Sequence, residues 1–179
     1  MWVKDGIKFV YLTGNSPYEI GFEHGRLLKN DIEEMIEGIK KFAEKEYGKI
    51  LDDIAIKILF HYSNSLKKGF SDDLIEEMKG IADSSGQNLE WIILANSIYE
   101  IAVRFYNFLK LDACSFFVAP WKNSDYTVIG KTTDLADHPF LSNLLSRHRL
   151  VFVYDCKWMG NKYITFSFHN YICCCRHIG

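Results

Sequence analysis

Leu111-Asp112-Ala113-Cys114-Ser115-Phe116-Phe117-Val118-Ala119 is the stretch at which the chain changes period. Before it, apolar residues recur at the spacing of one helix face. From Cys114 onward the apolar runs are short, aromatic and β-branched, which is strand composition. The order is a helical segment followed by an antiparallel sheet that opens at a cysteine, an α+β arrangement.

Upstream, a short strand-like run from Ile7 to Leu12 ends at the break Gly14-Asn15-Ser16-Pro17. Ser16 can cap a helix whose first residue is Pro17, where the missing N–H is no loss. Apolar residues then recur at Ile20, Leu27, Leu28, Ile32, Met35, Ile36, Ile39 and Phe42, with Glu and Lys on the opposite face. The spacing predicts helix through this whole run, and a second helix from Ile50 to Leu66. Ser71 can cap a third, carried by Leu74, Ile75, Met78 and Ile81 and ended by Gly86. Asn88 can cap a fourth, through Trp91, Leu94, Ile98, Ile101 and Phe105.

Downstream, Cys114 to Ala119 and Tyr126 to Gly130 read as strands joined by the turn residues Trp121-Lys122-Asn123-Ser124-Asp125. Arg149 to Tyr154 and Tyr163 to Phe168 read as two more, joined through Met159-Gly160-Asn161. No internal repeat or low-complexity linker separates the halves.

The 179 residues suit one domain or slightly more, and 48% hydrophobic with 15% aromatic residues supports a packed core. Lys plus Arg number 21 against 23 Asp plus Glu, a formal charge of −2. That balance argues against nucleic acid and against an anionic membrane surface as partners. The first residues lack the apolar run of a signal peptide, and no stretch is long and apolar enough to span a bilayer. A soluble, cytoplasmic protein is the expectation. The five cysteines, Cys114, Cys156, Cys173, Cys174 and Cys175, are odd in number and three are adjacent, unlike a disulfide framework.

Cys114 is the first candidate for chemistry. If the bond before it is cut, its own α-amino group becomes a base of suitable pKa, about 7.7–8.0 in reference peptides. One residue then supplies nucleophile and base, and the small Ala113 leaves room for the tight turn that such a cleavage needs. A lone Cys opening an apolar strand is also what a small core residue looks like. Asp134, 20 residues later, can hold an ammonium or orient a substrate nitrogen, and Lys131 can pair with it or bind an anion. Both also fit a solvated strand end. Gly21 and Gly25 lie one turn apart inside a helical pattern, each at a cost of roughly 0.5–1 kcal/mol against Ala, so close packing against another element is expected there. His24 between them reads as a packing residue. Cys173-Cys174-Cys175-Arg176-His177 does not have zinc-ligand spacing, and no metal or other cofactor is expected.

Several of these stretches together resemble the isopenicillin-N (acyl-CoA:6-aminopenicillanic acid) acyltransferases, an N-terminal-nucleophile (Ntn) branch related to choloylglycine hydrolases. Leu12-Thr-Gly14-Asn-Ser-Pro-Tyr18-Glu19-Ile-Gly21-Phe-Glu-His24-Gly25 is similar to the family's first-helix signature. Glu76-Glu77-Met78-Lys79-Gly80-Ile81-Ala82 is similar to its second, and Leu94-Ala95-Asn96 followed by Glu100 to a third. Ala113-Cys114-Ser115 resembles the maturation site, and Gly130-Lys131-Thr132-Thr133-Asp134 falls where the family has Gly-Arg-Asn-x-Asp. The set runs in order over roughly residues 8 to 168.

The resemblance implies an αββα sandwich, with residues 1–113 a pro-segment or small subunit and 114–179 the start of the catalytic chain. It implies autocatalytic cleavage between Ala113 and Cys114, and acyl transfer from a small-molecule amide or thioester through a thioester on Cys114. Cys114 would be the nucleophile and Asp134 a supporting group. Lys131 and Thr132 would stand at the substrate in place of the family's Arg and Asn, with loss of a planar bidentate donor and of an amide. The family's oxyanion-hole Asn and a further Arg lie beyond the last residue here, and the tail from about 169 reads as unrelated sequence, as after a slip of frame. A truncated, inactive product is therefore part of the expectation, since loss of one oxyanion donor alone removes about 10²–10³ in rate. The rival reading is a non-catalytic helical binding or regulatory module, with an intact Ala113–Cys114 bond and an unfinished apolar sheet that self-associates.

Overall fold

The computed structural model describes residues 1–47, 52–105, 116–120, 127–131 and 149–168. These form five helices and six strands. β1 (Trp2–Lys4) and β2 (Ile7–Gly14) are followed by α1 (Pro17–Leu27), α2 (Lys29–Tyr47), α3 (Asp52–Leu66), α4 (Asp72–Ser85) and α5 (Leu89–Phe105). β3 (Phe116–Pro120), β4 (Thr127–Lys131), β5 (Arg149–Cys156) and β6 (Asn161–Phe168) complete the order. The class is mixed α+β. Among the described residues, no helix is long and apolar enough to cross a membrane.

The strand β1 adds to what the periodicity predicts. Asp5 (φ 51°) and Gly6 (φ 76°) both take left-handed backbone between the paired residues Lys4 and Ile7. That is the two-residue turn whose twist matches a hairpin, and Asp-Gly is its preferred dipeptide.

Helix ends follow local chemistry. Ser16 Oγ accepts from the Glu19 N–H at 3.2 Å, with Pro17 in the first turn, and Glu19 Oε2 reaches back to the Asn15 N–H at 2.7 Å. Ser71 Oγ accepts from Leu74 N–H, and Gly86 closes α4 in the left-handed region at φ 75°. Asn88 Oδ1 accepts from the Glu90 N–H at 2.9 Å and opens α5.

One expected helix is two. The run that begins at Pro17 breaks at Leu28, whose φ of −116° and ψ of 21° leave the helical region. No Gly or Pro marks the break. Leu28 is fully enclosed in the core, and the bend lets α1 lie along α4 while α2 turns toward α3. Tertiary packing has overridden a continuous helical pattern here.

Four strands form one sheet in the order β1-β2-β5-β6. β5 and β6 make an antiparallel hairpin over a turn with Gly160 at φ 68°. β2 and β5 are parallel, from Lys8 opposite Leu150 to Gly14 opposite Cys156, so the sheet is mixed and draws strands from both ends of the chain. β3 and β4 form a separate antiparallel pair.

The core lies between the helices and one face of this sheet. Val10, Leu12, Phe152, Tyr154 and Cys156 point into it from β2 and β5. Ile20, Leu28, Ile32, Ile36, Met78, Ile81, Ile92 and Ile93 meet them from the helices. The ring of Tyr154 stacks on Tyr163 of β6 at 4.7 Å between centroids.

Candidate functional site

Among the described residues α1 and α4 make the most closely packed helix pair, and sequence explains why. A methyl group on Gly21 would overlap the Glu77 carbonyl oxygen, and one on Gly80 would overlap the Tyr18 carbonyl. At Gly25 it would meet Ser84 Oγ and the Ile81 main chain. The paired glycines expected to pack closely do so, and Gly80 answers them from the other helix. Tyr18 Oη ties the same pair by donating to Asp83 Oδ2 at 2.8 Å.

His24 lies between those glycines and is 1% exposed, with its ring 5.0 Å from that of Phe152. It packs α1 against β5. Together with Ile32, Ile36, Ile81, Ile92, Ala95 and Asn96 it lines a small, mostly apolar cavity of about 10 Å³. That is about the least space that holds one water. Residues from α1, α2, α4 and α5 thus converge on a single point. Asn96 donates through Nδ2 to the Ile92 carbonyl at 2.9 Å, one turn back in its own helix.

Lys131 is the last residue of β4 and pairs in register with Phe116, the first residue of β3. Cys114 is two positions before Phe116, and Thr132 and Asp134 follow Lys131. Ala113, Cys114, Thr132 and Asp134, like the cysteines of the tail, lie outside the described residues. The structure therefore brings the segment after the cysteine and the segment before Thr132 together as partners in one ladder.

Two polar features escape the sequence reading. The first is at the end of the parallel pair. Asp155, 4% exposed, accepts on a single oxygen, Oδ2, from Lys157 Nζ at 2.7 Å and from Tyr11 Oη at 2.6 Å. Lys162 Nζ stands 3.1 Å from the same oxygen. The Lys157 contact, then those of Tyr11 and Lys162, hold the carboxyl well below the usual carboxylate range, and its burial opposes them. The hydrogen bond to Asp155 raises the Tyr11 hydroxyl in turn, so Tyr11 stays a donor. β2, β5 and β6 each contribute to this cluster. Register alone creates it, because Asp155 stands opposite Thr13 on one side and Lys162 on the other. Linear sequence carries no signal for it.

The second is Glu77, in the middle of α4 and 2% exposed. Its Oε1 makes no hydrogen bond among the described residues. Burial, with Asp73 one turn earlier adding to it, pushes this carboxyl well above its ordinary range and so favours its protonated form. A charged residue type at a buried helical position, in step with Met78 and Ile81, was the available signal.

Among the described residues no three His, Cys, Asp or Glu side chains gather in a way that could hold a metal ion. Compared with known proteins, the chain matches no family model and no curated protein.

Proposed function

We propose that this chain carries the pro-segment and the nucleophile of an Ntn cysteine acyltransferase or amidohydrolase, acting on non-peptide amide or acyl-thioester groups. The observation that carries the reading is the convergence of three separated motifs. His24 and the glycines of the first, Ile81 and Gly80 of the second, and Ala95 and Asn96 of the third meet at one crossing and one cavity. Residues of three stretches that carry the resemblance have a common place in the fold, as parts of one packed unit should.

A further support is the shape of the sheet. Helices cover one face, while the other carries Trp2, Phe9, Tyr11, Val153 and Ile164. The run Leu150-Val151-Phe152-Val153-Tyr154 is apolar at every position, as in strands covered on both sides. In this reading one helix layer, one sheet and an apolar outer face are half of an αββα sandwich, and the separate β3–β4 ladder belongs to its second sheet.

In this reading, Cys114 Sγ first attacks the carbonyl carbon of Ala113. The acyl group shifts from nitrogen to sulfur, and water then cleaves the thioester. This leaves a carboxylate on Ala113 and a free α-amino group on Cys114. In turnover that amine takes the thiol proton, Sγ attacks the acyl carbonyl of the substrate, and the proton passes to the departing amine or thiol. Water or an acceptor amine then releases the acyl group from sulfur. Lys131 and Thr132 bind the substrate, and Asp134 holds the ammonium form of the Cys114 amine.

Intact-mass measurement of the purified chain tests this, with Cys114→Ala as control. Two fragments that meet between Ala113 and Cys114, absent from the variant, are expected. A single uncut chain favours the rival reading, a non-catalytic module whose apolar outer sheet face is a contact surface. Cleavage that persists in Cys114→Ala removes the self-processing mechanism.

A further inference from the structure

The α1–α4 crossing has no spare volume. Main chain meets main chain where Gly21 passes Glu77 and where Gly80 passes Tyr18. Glu77, whose main chain lies at this crossing, is 2% exposed, and its buried Oε1 has no hydrogen-bond donor among the described residues. A carboxyl in that position is stable only with its proton, because an ionised one would be both desolvated and without a counter-charge.

We propose that the Glu77 carboxyl is a proton-controlled latch on the α1–α4 crossing: protonated, it lets the two helices close to backbone contact, and ionised, it drives them apart.

The charged and titratable groups around it do not offset the ionised form. On its own helix, Asp73 opposes ionisation, Glu76 pairs with Lys79, and Asp83 accepts from Tyr18. On α1, Glu19 accepts from Asn15, Glu23 pairs with Arg26, and the His24 ring lies against Phe152. α2 brings Asp31, paired with Lys8, and Lys40 with Glu37. α5 brings Glu90 on its exposed first turn. Among the described residues, none of these groups is a cation paired with Glu77.

The direction of the effect follows. The folded chain holds this proton more tightly than the unfolded chain does, so the stabilisation is complete below the ordinary glutamate range. It is lost as pH rises through the raised value. A single proton sets the limiting slope at about tenfold in the opening equilibrium per pH unit.

The test is residue-level amide hydrogen exchange of the full chain at a series of pH values from about 5 to about 10, a range that brackets known buried glutamates. The expected result is that protection factors in α1 and α4 fall by up to about tenfold per pH unit from the ordinary glutamate range up to the raised value and level off above it, while those in α3 hold. Glu77→Gln and Glu77→Met, neither of which carries the proton, should lose that fall, and Tyr18→Phe should keep it. Flat protection in the wild type overturns the latch, and so does an equal fall in the Gln or Met variant. If neither variant folds, the wild-type and Tyr18→Phe profiles decide it: a fall absent from Tyr18→Phe belongs to the Tyr18–Asp83 contact and overturns the latch.

Discussion

The two faces of the four-stranded sheet are made from alternate residues of the same strands and differ in how fully they are covered, though Val151 and Asp155 of the outer face are buried too. Val10, Leu12, Phe152 and Tyr154 are wholly enclosed beneath the helices. Tyr11, between two of them, is 37% exposed, and Ile164 on β6 is 61% exposed. Yet both faces are apolar in composition. Period-two alternation therefore separates two faces without saying which one the helices cover. That choice is made where Gly14 and the capped turn at Ser16 direct α1 back over β2, and where α4 closes on α1.

The sharpest way to break the comparison is Phe152→Ala. It empties the centre of the inner face and should remove about 3–5 kcal/mol, read as a drop in urea midpoint. Against the roughly 5–15 kcal/mol of a typical domain this is most of the stability. Gly80→Ala acts one layer further in, by forcing a methyl into the Tyr18 main chain. It should cost about 1–3 kcal/mol, with a loss of protection confined to α1 and α4 in hydrogen exchange.

Asp155→Asn tests the polar end of the outer face through pH. The Asp155 proton is held more weakly in the folded chain than in the unfolded one. Its stabilisation is therefore complete above the ordinary aspartate range and is lost as pH falls below that range. An acid titration of the urea midpoint should show this fall in the wild type and not in Asp155→Asn. The smallest effect is expected for Ile164→Ser, within about 0.5 kcal/mol if that face is open in solution. A loss above about 1 kcal/mol would mean that the outer face is covered, as a second sheet of a sandwich would cover it.

Much of the local structure was legible because local chemistry enforces it. Ser16, Ser71 and Asn88 cap the helices they were expected to cap, and Gly86 ends α4. The strands at 127–131, 149–156 and 161–168 follow the β-branched and aromatic runs. The close approach at Gly21 and Gly25 was legible too, since an unforced glycine pair in a helix is expensive without a reason. The hairpin at Asp5-Gly6 was equally readable, yet three residues of β1 offer too short a pattern for periodicity to detect.

What stayed hidden depends on residues distant in the chain. The break at Leu28 has no Gly, Pro or cap to announce it, because the pull comes from the core that encloses Leu28. The Asp155 cluster exists only through a register joining residue 11 to residues 155, 157 and 162. Of the candidate site, sequence supplied Cys114 and its neighbours as chemistry, and the structure supplied the pairing of Lys131 with Phe116 beside them.

The sequence by itself determined the capped helix starts at Ser16, Ser71 and Asn88, the helix end at Gly86, and the close approach possible at Gly21 and Gly25. Those properties rest on φ/ψ limits, capping hydrogen bonds and the size of single side chains, all local. Only the tertiary structure decided that β2 runs parallel to β5, that the helices cover one apolar face and not the other, and that Glu77 is enclosed with its Oε1 unbonded among the described residues. Those outcomes depend on which distant surfaces displace water from one another, and no window of adjacent residues holds that information.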